Sequence, residues 1–251
     1  MGKVIVFANQ KGGVGKTTSC VNIGAYMADA GKKVLLIDFD PQGNLSSSIG
    51  VDADAPGIYE VLSGSISMEQ AIQKAEHAEL FAITSNVNLS GANIELVDQE
   101  DREYFLKRAI EQSTDSWDYI LVDCPPSLGI LTLNGLAAGQ YVIIPLQCEY
   151  FALEGLSLLL QTIQKVQHGV NPNLLIAGII FTMFDTRTRL SKEVVEEVTG
   201  YFKEKVFRTI IPRNVRLSEA PSHSTPINRY DPECLGALSY KKISEEVMGR
   251  V

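Results

Sequence analysis

Short apolar runs alternate with longer amphipathic stretches along most of the chain. The apolar runs lie at 4–8, 33–37, 80–84, 119–123, 141–145, 174–182 and 206–211, and each is typical of a buried strand. The stretches between them predict helices at about 20–28, 92–112, 152–167, 191–205 and 235–248. Strands that alternate with helices favour a mostly parallel, twisted sheet with helices on both faces and right-handed crossovers. We therefore expect an α/β fold in which residues 1–251 form one domain.

A glycine-rich turn separates the first predicted strand from the first predicted helix. Residues 10–18 read QKGGVGKTT, a strand–turn–helix segment that predicts a P-loop, and it lies too near the N-terminus to leave room for a helix-turn-helix ahead of it. Glycines let backbone N–H groups point at a phosphate, and the helix N-terminus adds positive partial charge. Lys16 can reach the β- and γ-phosphates of a nucleotide, and Thr17 can bind Mg²⁺. The alternative, a glycine turn that binds nothing, does not explain the strand–helix context. The predicted nucleotide-binding residues are Lys11, Gly12, Gly13, Val14, Gly15, Lys16, Thr17 and Thr18.

Three aspartates stand at the ends of two predicted strands. Asp38 and Asp40 follow the second strand two positions apart, so on an extended segment both face one side. One of them could hold a Mg²⁺-bound water while the other orients the attacking water. Asp123 ends the strand at 119–123 and fits a Mg²⁺-organising carboxylate of the Walker B type. The alternatives are a solvated acidic turn for the first two and a loop-capping acid for Asp123.

Composition indicates the cellular compartment of the protein and limits the kinds of partner that it can bind. Four scattered cysteines without a CxxC pair, no signal peptide and no apolar run of membrane-spanning length favour the cytoplasm. The net charge of −8 argues against nucleic-acid binding, but residues 1–180 hold 20 Asp/Glu against 10 Lys/Arg. Residues 181–220 hold eight Lys/Arg and six Asp/Glu, which permits a local basic face; ordinary solvated charge is the alternative. Its basic residues include Arg187, Arg189, Lys203, Lys205, Arg208, Arg213 and Arg216.

Several of these segments together resemble one family. The P-loop at 11–18 is similar to the deviant Walker A box of the ParA/MinD ATPases, and DFDPQGN at 38–44 and DCPPS at 123–127 resemble the two switch segments of that family. PLQCEYFALEG at 145–155 and IPRNVRLSEAPS at 211–222 are similar to its chromosomal ParA/Soj branch, so that the resemblance runs nearly end to end. One departure is Ser224, which stands where the family usually has glycine.

The resemblance implies a P-loop ATPase that uses ATP and Mg²⁺ and closes into an ATP-sandwich homodimer. In that dimer Lys11 would reach the partner's phosphates, in the manner of an arginine finger. Asp40 would position the hydrolytic water, and Asp38 and Asp123 would lie around the metal with Thr17. Two further residues, Pro212 and Asn214, would lie against the adenine. Slow intrinsic hydrolysis is expected, because no strong general base is evident and Asp40 alone holds the water.

The same resemblance implies a role in segregating chromosome or plasmid DNA. ATP dimers of the family bind double-stranded DNA without sequence preference, and Arg187 and Arg216 match the arginines involved. A ParB/Spo0J-type centromere-binding partner would stimulate hydrolysis and so release the DNA, with the protein residing on the nucleoid.

Two other functions stay open from the sequence. A MinD-like, membrane-cycling regulator of division-site placement would need an amphipathic C-terminal anchor, whereas residues 239–251 have few large apolar side chains and two adjacent glutamates. A metabolic or metal-cluster-carrying P-loop enzyme is disfavoured by the missing CxxC pair and by the segment at 213–222.

Overall fold

The structure, a computed structural model, describes residues 2–76, 78–96, 98–150 and 152–251. Its strands are β1 Lys3–Phe7, β2 Val34–Asp38, β3 Ile72–Lys74, β4 Phe81–Ile83, β5 Tyr119–Asp123, β6 Tyr141–Gln147 and β7 Leu175–Thr182. Its α-helices are α1 Lys16–Asp29, α2 Asn44–Ile49, α3 Ile58–Leu62, α4 Met68–Ala71, α5 Leu89–Glu95, α6 Phe105–Gln112, α7 Ile130–Ala138, α8 Ala152–His168, α9 Arg189–Phe202, α10 Arg216–Glu219, α11 Ile227–Tyr230 and α12 Leu235–Arg250. Short 3₁₀ segments lie at Arg102–Tyr104, Lys203–Lys205 and Ala220–His223.

The seven strands form one sheet in the order β3-β4-β2-β5-β1-β6-β7. All neighbouring pairs are parallel except β3 with β4. The central register sets Asp123 opposite Phe7 on one side and opposite Asp38 on the other. The predicted mostly parallel α/β sheet is therefore confirmed, and its carboxyl edge brings together the ends of β1, β2 and β5.

Side chains along the strands alternate between two hydrophobic cores. Val4 and Val6 face a core that α6, α7 and α8 cover, whereas Ile5 and Phe7 face a core that α1 and α12 cover. This confirms the expected helices on both faces. Helix α12 is anchored against α1 by buried apolar residues and by the contact between Tyr240 Oη and Ser19 Oγ at 3.1 Å.

The prediction of one long helix at 92–112 is wrong. The chain forms α5 and α6 there, with a 3₁₀ turn at Arg102–Tyr104 between them. Asp101 has φ 55°, in the left-handed region, which a continuous α-helix cannot contain. Val97 lies outside the described residues. Of the apolar positions that predicted one helix, Leu96 caps the end of α5 and the others belong to α6.

The prediction of a strand at 206–211 is also wrong. Single parallel bridges join Val206 to Ile179 and Pro212 to Phe184, but no continuous ladder forms between them. The reason is a side-chain competitor, because the carboxylate of Glu246 accepts hydrogen bonds from the backbone N–H groups of residues 208 and 209 at 2.9 and 3.0 Å. The N–H of Thr209, which would face β7 like those of Phe207 and Ile211, is thereby withdrawn from the edge of the sheet. The short strand β3 was not predicted.

The serine that departs from the family pattern has an unusual backbone. Ser224 has φ 50° and follows the 3₁₀ segment Ala220–His223 as its C-terminal cap. Glycine adopts this left-handed conformation without strain, whereas serine does so less readily.

None of the helices in the described ranges combines the length and the apolar character that crossing a bilayer requires.

Candidate functional site

The loop between β1 and α1 forms a concave turn at the carboxyl edge of the sheet. Gly13 has φ 72° and Gly15 has φ 85°, conformations that favour glycine over any other residue. The turn is tied to its surroundings by Thr182, whose Oγ1 donates to the backbone oxygen of Val14 at 2.8 Å. On the other side, Asn9 Nδ2 donates to the Pro145 carbonyl at 2.8 Å. The loop is thus held in a shape that leaves backbone N–H groups available at the start of α1.

Lys16 and Thr17, the first two residues of α1, lie beside the end of β5. The Lys16 side chain is buried, and its Nζ donates to the backbone oxygen of Lys11 at 3.3 Å. Burial lowers the pKa of Lys16, and the charges of Asp123, Cys124 and Asp40 oppose that shift. Thr17 Oγ1 donates to Asp123 Oδ2 at 2.6 Å. The structure therefore joins the P-loop to the acidic end of β5.

Asp123 is fully buried, and only one of its two carboxylate oxygens has a hydrogen-bond partner among the described residues. Its Oδ2 accepts from Thr17, but its Oδ1 has no hydrogen-bond partner among the described residues. Burial, together with the charge of the neighbouring Asp38, raises the pKa of Asp123 to about 8, against the hydrogen bond from Thr17 and the charge of Lys16. A buried carboxylate oxygen without a partner is costly, and a divalent cation with oxygen ligands resolves that cost. The donor set of Thr17, Asp123 and Asp38 therefore fits Mg²⁺.

Asp38 is also fully buried, but both of its oxygens have donors. Oδ2 accepts from the backbone N and the Oγ of Ser46 at 2.8 and 2.7 Å, and Oδ1 accepts from the backbone N of Asp40 at 3.2 Å. Burial raises the pKa of Asp38 to about 6 despite these bonds. Asp40 is nearly buried, and its Oδ1 accepts from the backbone N of Gln42 at 3.0 Å.

A cleft of about 470 Å³ opens above these residues. It is lined by Gly12, Gly13, Gly15, Lys16, Thr17, Thr18, Asp40, Gln42, Asn44, Ser47, Ser48, Pro126, Met183 and Pro221. The cleft holds most of the predicted P-loop together with Asp40, whereas Asp123 is joined to its wall through Thr17.

The two residues assigned to the adenine lie beyond the cleft lining. Pro212 pairs with Phe184, the residue after Met183, and Asn214 Oδ1 accepts from the backbone N of Arg216 at 2.9 Å. Their contact with the base therefore stays a prediction.

Lys11 points away from the phosphate cradle. Its Nζ forms an ion pair with Glu149, in which the two side chains are 41% and 46% exposed. The backbone of Lys11 is fixed, because its N–H donates to Asn9 Oδ1 at 3.0 Å. The second lysine of the motif is thus a half-exposed side chain on a fixed backbone, paired at the rim with an acid of the same chain.

The two predicted DNA-binding arginines are exposed and engaged with acids of their own chain. Arg187 binds Asp185 with two hydrogen bonds, Nε to Oδ1 at 2.9 Å and one terminal nitrogen to Oδ2 at 2.7 Å. Arg216 binds Glu219 at 2.8 Å and Asp231 at 3.3 Å. DNA contact by either residue stays a prediction.

Several residues of the site are missing from the sequence interpretation, among them Ser47 and Ser48 of the cleft lining. Ser46 binds Asp38, Glu149 binds Lys11, and Met183 lines the cleft with φ 51°. Glu149 lies inside the segment at 145–155 that carried the resemblance, so the sequence could have indicated that this acid belongs to the site. No nearby sequence pattern indicates a site role for Ser46 or Met183.

Comparison with known proteins decides the family. Residues 2–176 match a family model described as an AAA domain. The chain is 60% identical over 250 residues to the chromosome-partitioning ATPase Soj of Treponema pallidum, a match that covers 100% of this chain and 98% of that protein. It is 51% identical over 249 residues to the sporulation initiation inhibitor protein Soj of Bacillus subtilis, covering 98% of each. The chain belongs to the Soj/ParA family of ATPases. The resemblance inferred from the motifs is confirmed.

A solved structure carries the same fold with ligands in place. Cobyrinic acid a,c-diamide synthase from Mycobacterium smegmatis with bound ATP analog and magnesium superposes with a TM-score of 0.86 at 37% identity, covering 98% of this chain and 93% of that chain. This Soj/ParA-family protein is therefore an ATPase whose cofactors are ATP and Mg²⁺, as the P-loop predicted.

Proposed function

We propose that this Soj/ParA ATPase is an ATP-dependent dimerising switch that segregates chromosome or plasmid DNA, with residues 1–251 acting as one ATPase domain. The proposal rests on the different positions of the two lysines of the P-loop. Lys16 is buried inside the cradle, while Lys11 lies at the rim, paired with Glu149. A rim lysine on an anchored backbone is suited to reach a phosphate held by a second copy of the chain. The level of identity to a partitioning ATPase, 60% over the whole chain, supports the biological role.

The buried acids and Lys16 would bind the nucleotide and the metal. Lys16 would bind the β- and γ-phosphates, and Thr17, Asp38 and Asp123 would hold Mg²⁺. When bound, Mg²⁺ neutralises part of the charge of the triphosphate. Asp40 lines the cleft and would orient the attacking water. Because it is the single carboxylate available for that task at the cleft surface of the described residues, we expect slow intrinsic turnover.

The remaining assignments complete the cycle. Pro212 and Asn214 would contact the adenine. Arg187 and Arg216 would bind DNA phosphates in the ATP dimer, exchanging their present acidic partners for phosphate oxygens. Contacts of this kind give sequence-independent, salt-sensitive binding. A ParB/Spo0J-type partner would then stimulate hydrolysis and release the dimer from the nucleoid in the cytoplasm.

Sizing by light scattering with ATP, with ADP and without nucleotide tests the dimer. We expect a dimer with ATP alone, and a Lys11→Ala variant that binds ATP but stays monomeric. A wild-type protein that is monomeric under all three conditions would contradict the switch.

DNA retention on a gel, repeated across a salt series, tests the second half of the cycle. We expect retention only with ATP, falling steeply with salt, and lost in Arg216→Glu while basal ATPase activity persists. Lys242→Glu, the same charge change on α12 outside the proposed contact, is the matched control. Equal retention by the two variants would remove Arg216 from the DNA site.

Helix α12 supports partitioning over membrane cycling. Its apolar residues Tyr240, Ile243 and Val247 are buried in the core that α1 shares, so they do not form a lipid-facing surface. We expect no stable membrane association. Co-sedimentation with anionic vesicles in the presence of ATP would support the MinD-like alternative instead.

A further inference from the structure

Ser46 in helix α2 makes three hydrogen bonds in the interior of the protein. It is fully buried, and its backbone N and its Oγ both donate to Oδ2 of Asp38, at 2.8 and 2.7 Å. The same Oγ accepts a hydrogen bond from the backbone N of Ser85 at 3.1 Å. The hydroxyl group therefore links the segment after β4 to the carboxylate at the end of β2.

Two of these bonds fix the orientation of the Asp38 carboxylate. Both donors of Ser46 bind the same oxygen, Oδ2, and Oδ1 keeps a single, longer bond from the backbone N of Asp40 at 3.2 Å. Asp38 lies opposite Asp123 in the β2–β5 register, so the two carboxylates form an acidic pair at the carboxyl edge of the sheet. A carboxylate that lost one of its two donors on Oδ2 could rotate about its χ2 torsion, which is broad for aspartate.

We propose that Ser46 is a positioning residue for the metal site, acting through Asp38. Its hydroxyl holds Oδ2, so that Oδ1 keeps only one longer hydrogen bond and would be available to Mg²⁺; that bond, donated by the backbone N–H of Asp40, ties Asp40 to the same carboxylate. This inference rests on the proposed metal role of Asp38. Ordered partners of metal-binding carboxylates typically change metal affinity or activity by about 10- to 100-fold when they are removed.

A purely structural role for Ser46 makes a different prediction. If the hydroxyl only satisfied nearby polar groups, its removal would lower the melting temperature and leave the dependence on Mg²⁺ unchanged. The backbone bond from Ser46 to Asp38 survives any side-chain change, so Ser46→Ala isolates the contribution of the hydroxyl. Ser244→Ala is the matched control. Ser244, in α12, is equally buried, and its hydroxyl donates to the backbone oxygen of Ile23 at 3.4 Å, away from the metal site.

The test measures binding of a fluorescent ATP analogue with and without Mg²⁺, and the Mg²⁺ concentration that gives half-maximal ATPase activity. For Ser46→Ala we expect analogue affinity in EDTA within about twofold of wild type and a half-saturating Mg²⁺ concentration raised about 10-fold or more. Ser244→Ala should match wild type in both measurements. An unchanged Mg²⁺ dependence in Ser46→Ala overturns the inference. Should that variant not fold, Ser46→Cys, which replaces the hydroxyl with a weak donor, is held to the same criterion.

Asp38→Asn separates failure of this inference from failure of the proposed metal site. If Asp38→Asn leaves the Mg²⁺ dependence unchanged, the metal role of Asp38 is wrong and the inference falls with it. If Asp38→Asn shifts that dependence and Ser46→Ala does not, only the inference is wrong. We expect both to shift it, and the double variant to be no worse than Asp38→Asn alone, because Ser46 acts through Asp38. Additive effects in the double variant would overturn the route through Asp38.

Discussion

The ion pair between Lys11 and Glu149 predicts that a glutamate opposes dimerisation. In the proposed dimer, Lys11 leaves Glu149 and reaches a phosphate bound by the partner. Breaking this pair is part of the free energy of closing the dimer. Glu149→Gln keeps the shape of the side chain and removes its charge, so it should release Lys11 and tighten the ATP dimer.

The exposure of the pair sets the size of the effect. The side chains of Lys11 and Glu149 are 41% and 46% exposed, so water and salt weaken their attraction. Pairs of this kind contribute about 0.2 to 1 kcal/mol. That range corresponds to about a 1.4- to 5-fold change for each protomer, and a dimer breaks two pairs. We therefore expect the dimer dissociation constant to fall by about 2- to 30-fold, with the larger values at low salt.

Sedimentation equilibrium at saturating ATP and two salt concentrations measures this constant directly. Glu154→Gln is the control, because Glu154 is an exposed acid at the start of the same helix region and forms no ion pair within the described residues. It should leave the constant unchanged. A dimer as weak as wild type, or weaker, in Glu149→Gln would refute the competition, and a weaker dimer would mean that Glu149 itself makes a favourable contact across the interface.

Three further variants probe the site and its support. Lys16→Ala should bind ATP at least about 10-fold more weakly by calorimetry, since one charge-assisted hydrogen bond is worth about 1.5–3 kcal/mol; unchanged affinity would contradict its place in the cradle. Asp40→Ala should lower turnover by about 100-fold or more while the ATP dimer persists, and wild-type turnover would count against it. Gly135→Ala should lower stability by about 1–3 kcal/mol in urea, because its new Cβ would lie 2.6 Å from the Sγ of Cys124. Gly200→Ala, which meets no atom within 4 Å in α9, should not be destabilised, and equal losses in the two would refute the packing argument.

The local pattern of the chain was enough for the central strands and the P-loop. Each central strand is a short apolar run, and the residues that follow it are glycines, lysine, threonine or aspartates suited to binding phosphate or metal. Residues adjacent in the sequence are therefore sufficient to predict these elements. The same reasoning failed at 92–112, where one left-handed residue, Asp101, interrupts an otherwise continuous helical pattern. It failed at 206–211, where Glu246 takes two backbone donors from 37 and 38 residues away.

Two of the site contacts that escaped prediction are long-range, whereas Ser46 is only eight residues from Asp38. Glu149 is 138 residues from Lys11, and Ser85 is 39 residues from Ser46. Such pairs depend on which strands are neighbours and on the exact course of their loops, and a local hydrophobic pattern fixes neither. The sequence identified the lysines and aspartates predicted to bind nucleotide and metal, whereas the structure identified the residues that orient them, Ser46 and Glu149.

The buried acids of the site also bear on the proposed switch. Two buried aspartates at adjacent strand ends raise the free energy of the fold unless a cation or a set of donors compensates them. Asp38 is compensated by three protein donors, and Asp123 is left with an oxygen that none of the described residues satisfies. In the proposed metal site, protein donors therefore fix the orientation of Asp38, while Asp123 depends more strongly on the bound cation. We expect Mg²⁺ bound with ATP to compensate the Asp123 carboxylate where α1, β2 and β5 meet, and so to stabilise the edge from which Lys11 would extend in the proposed dimer.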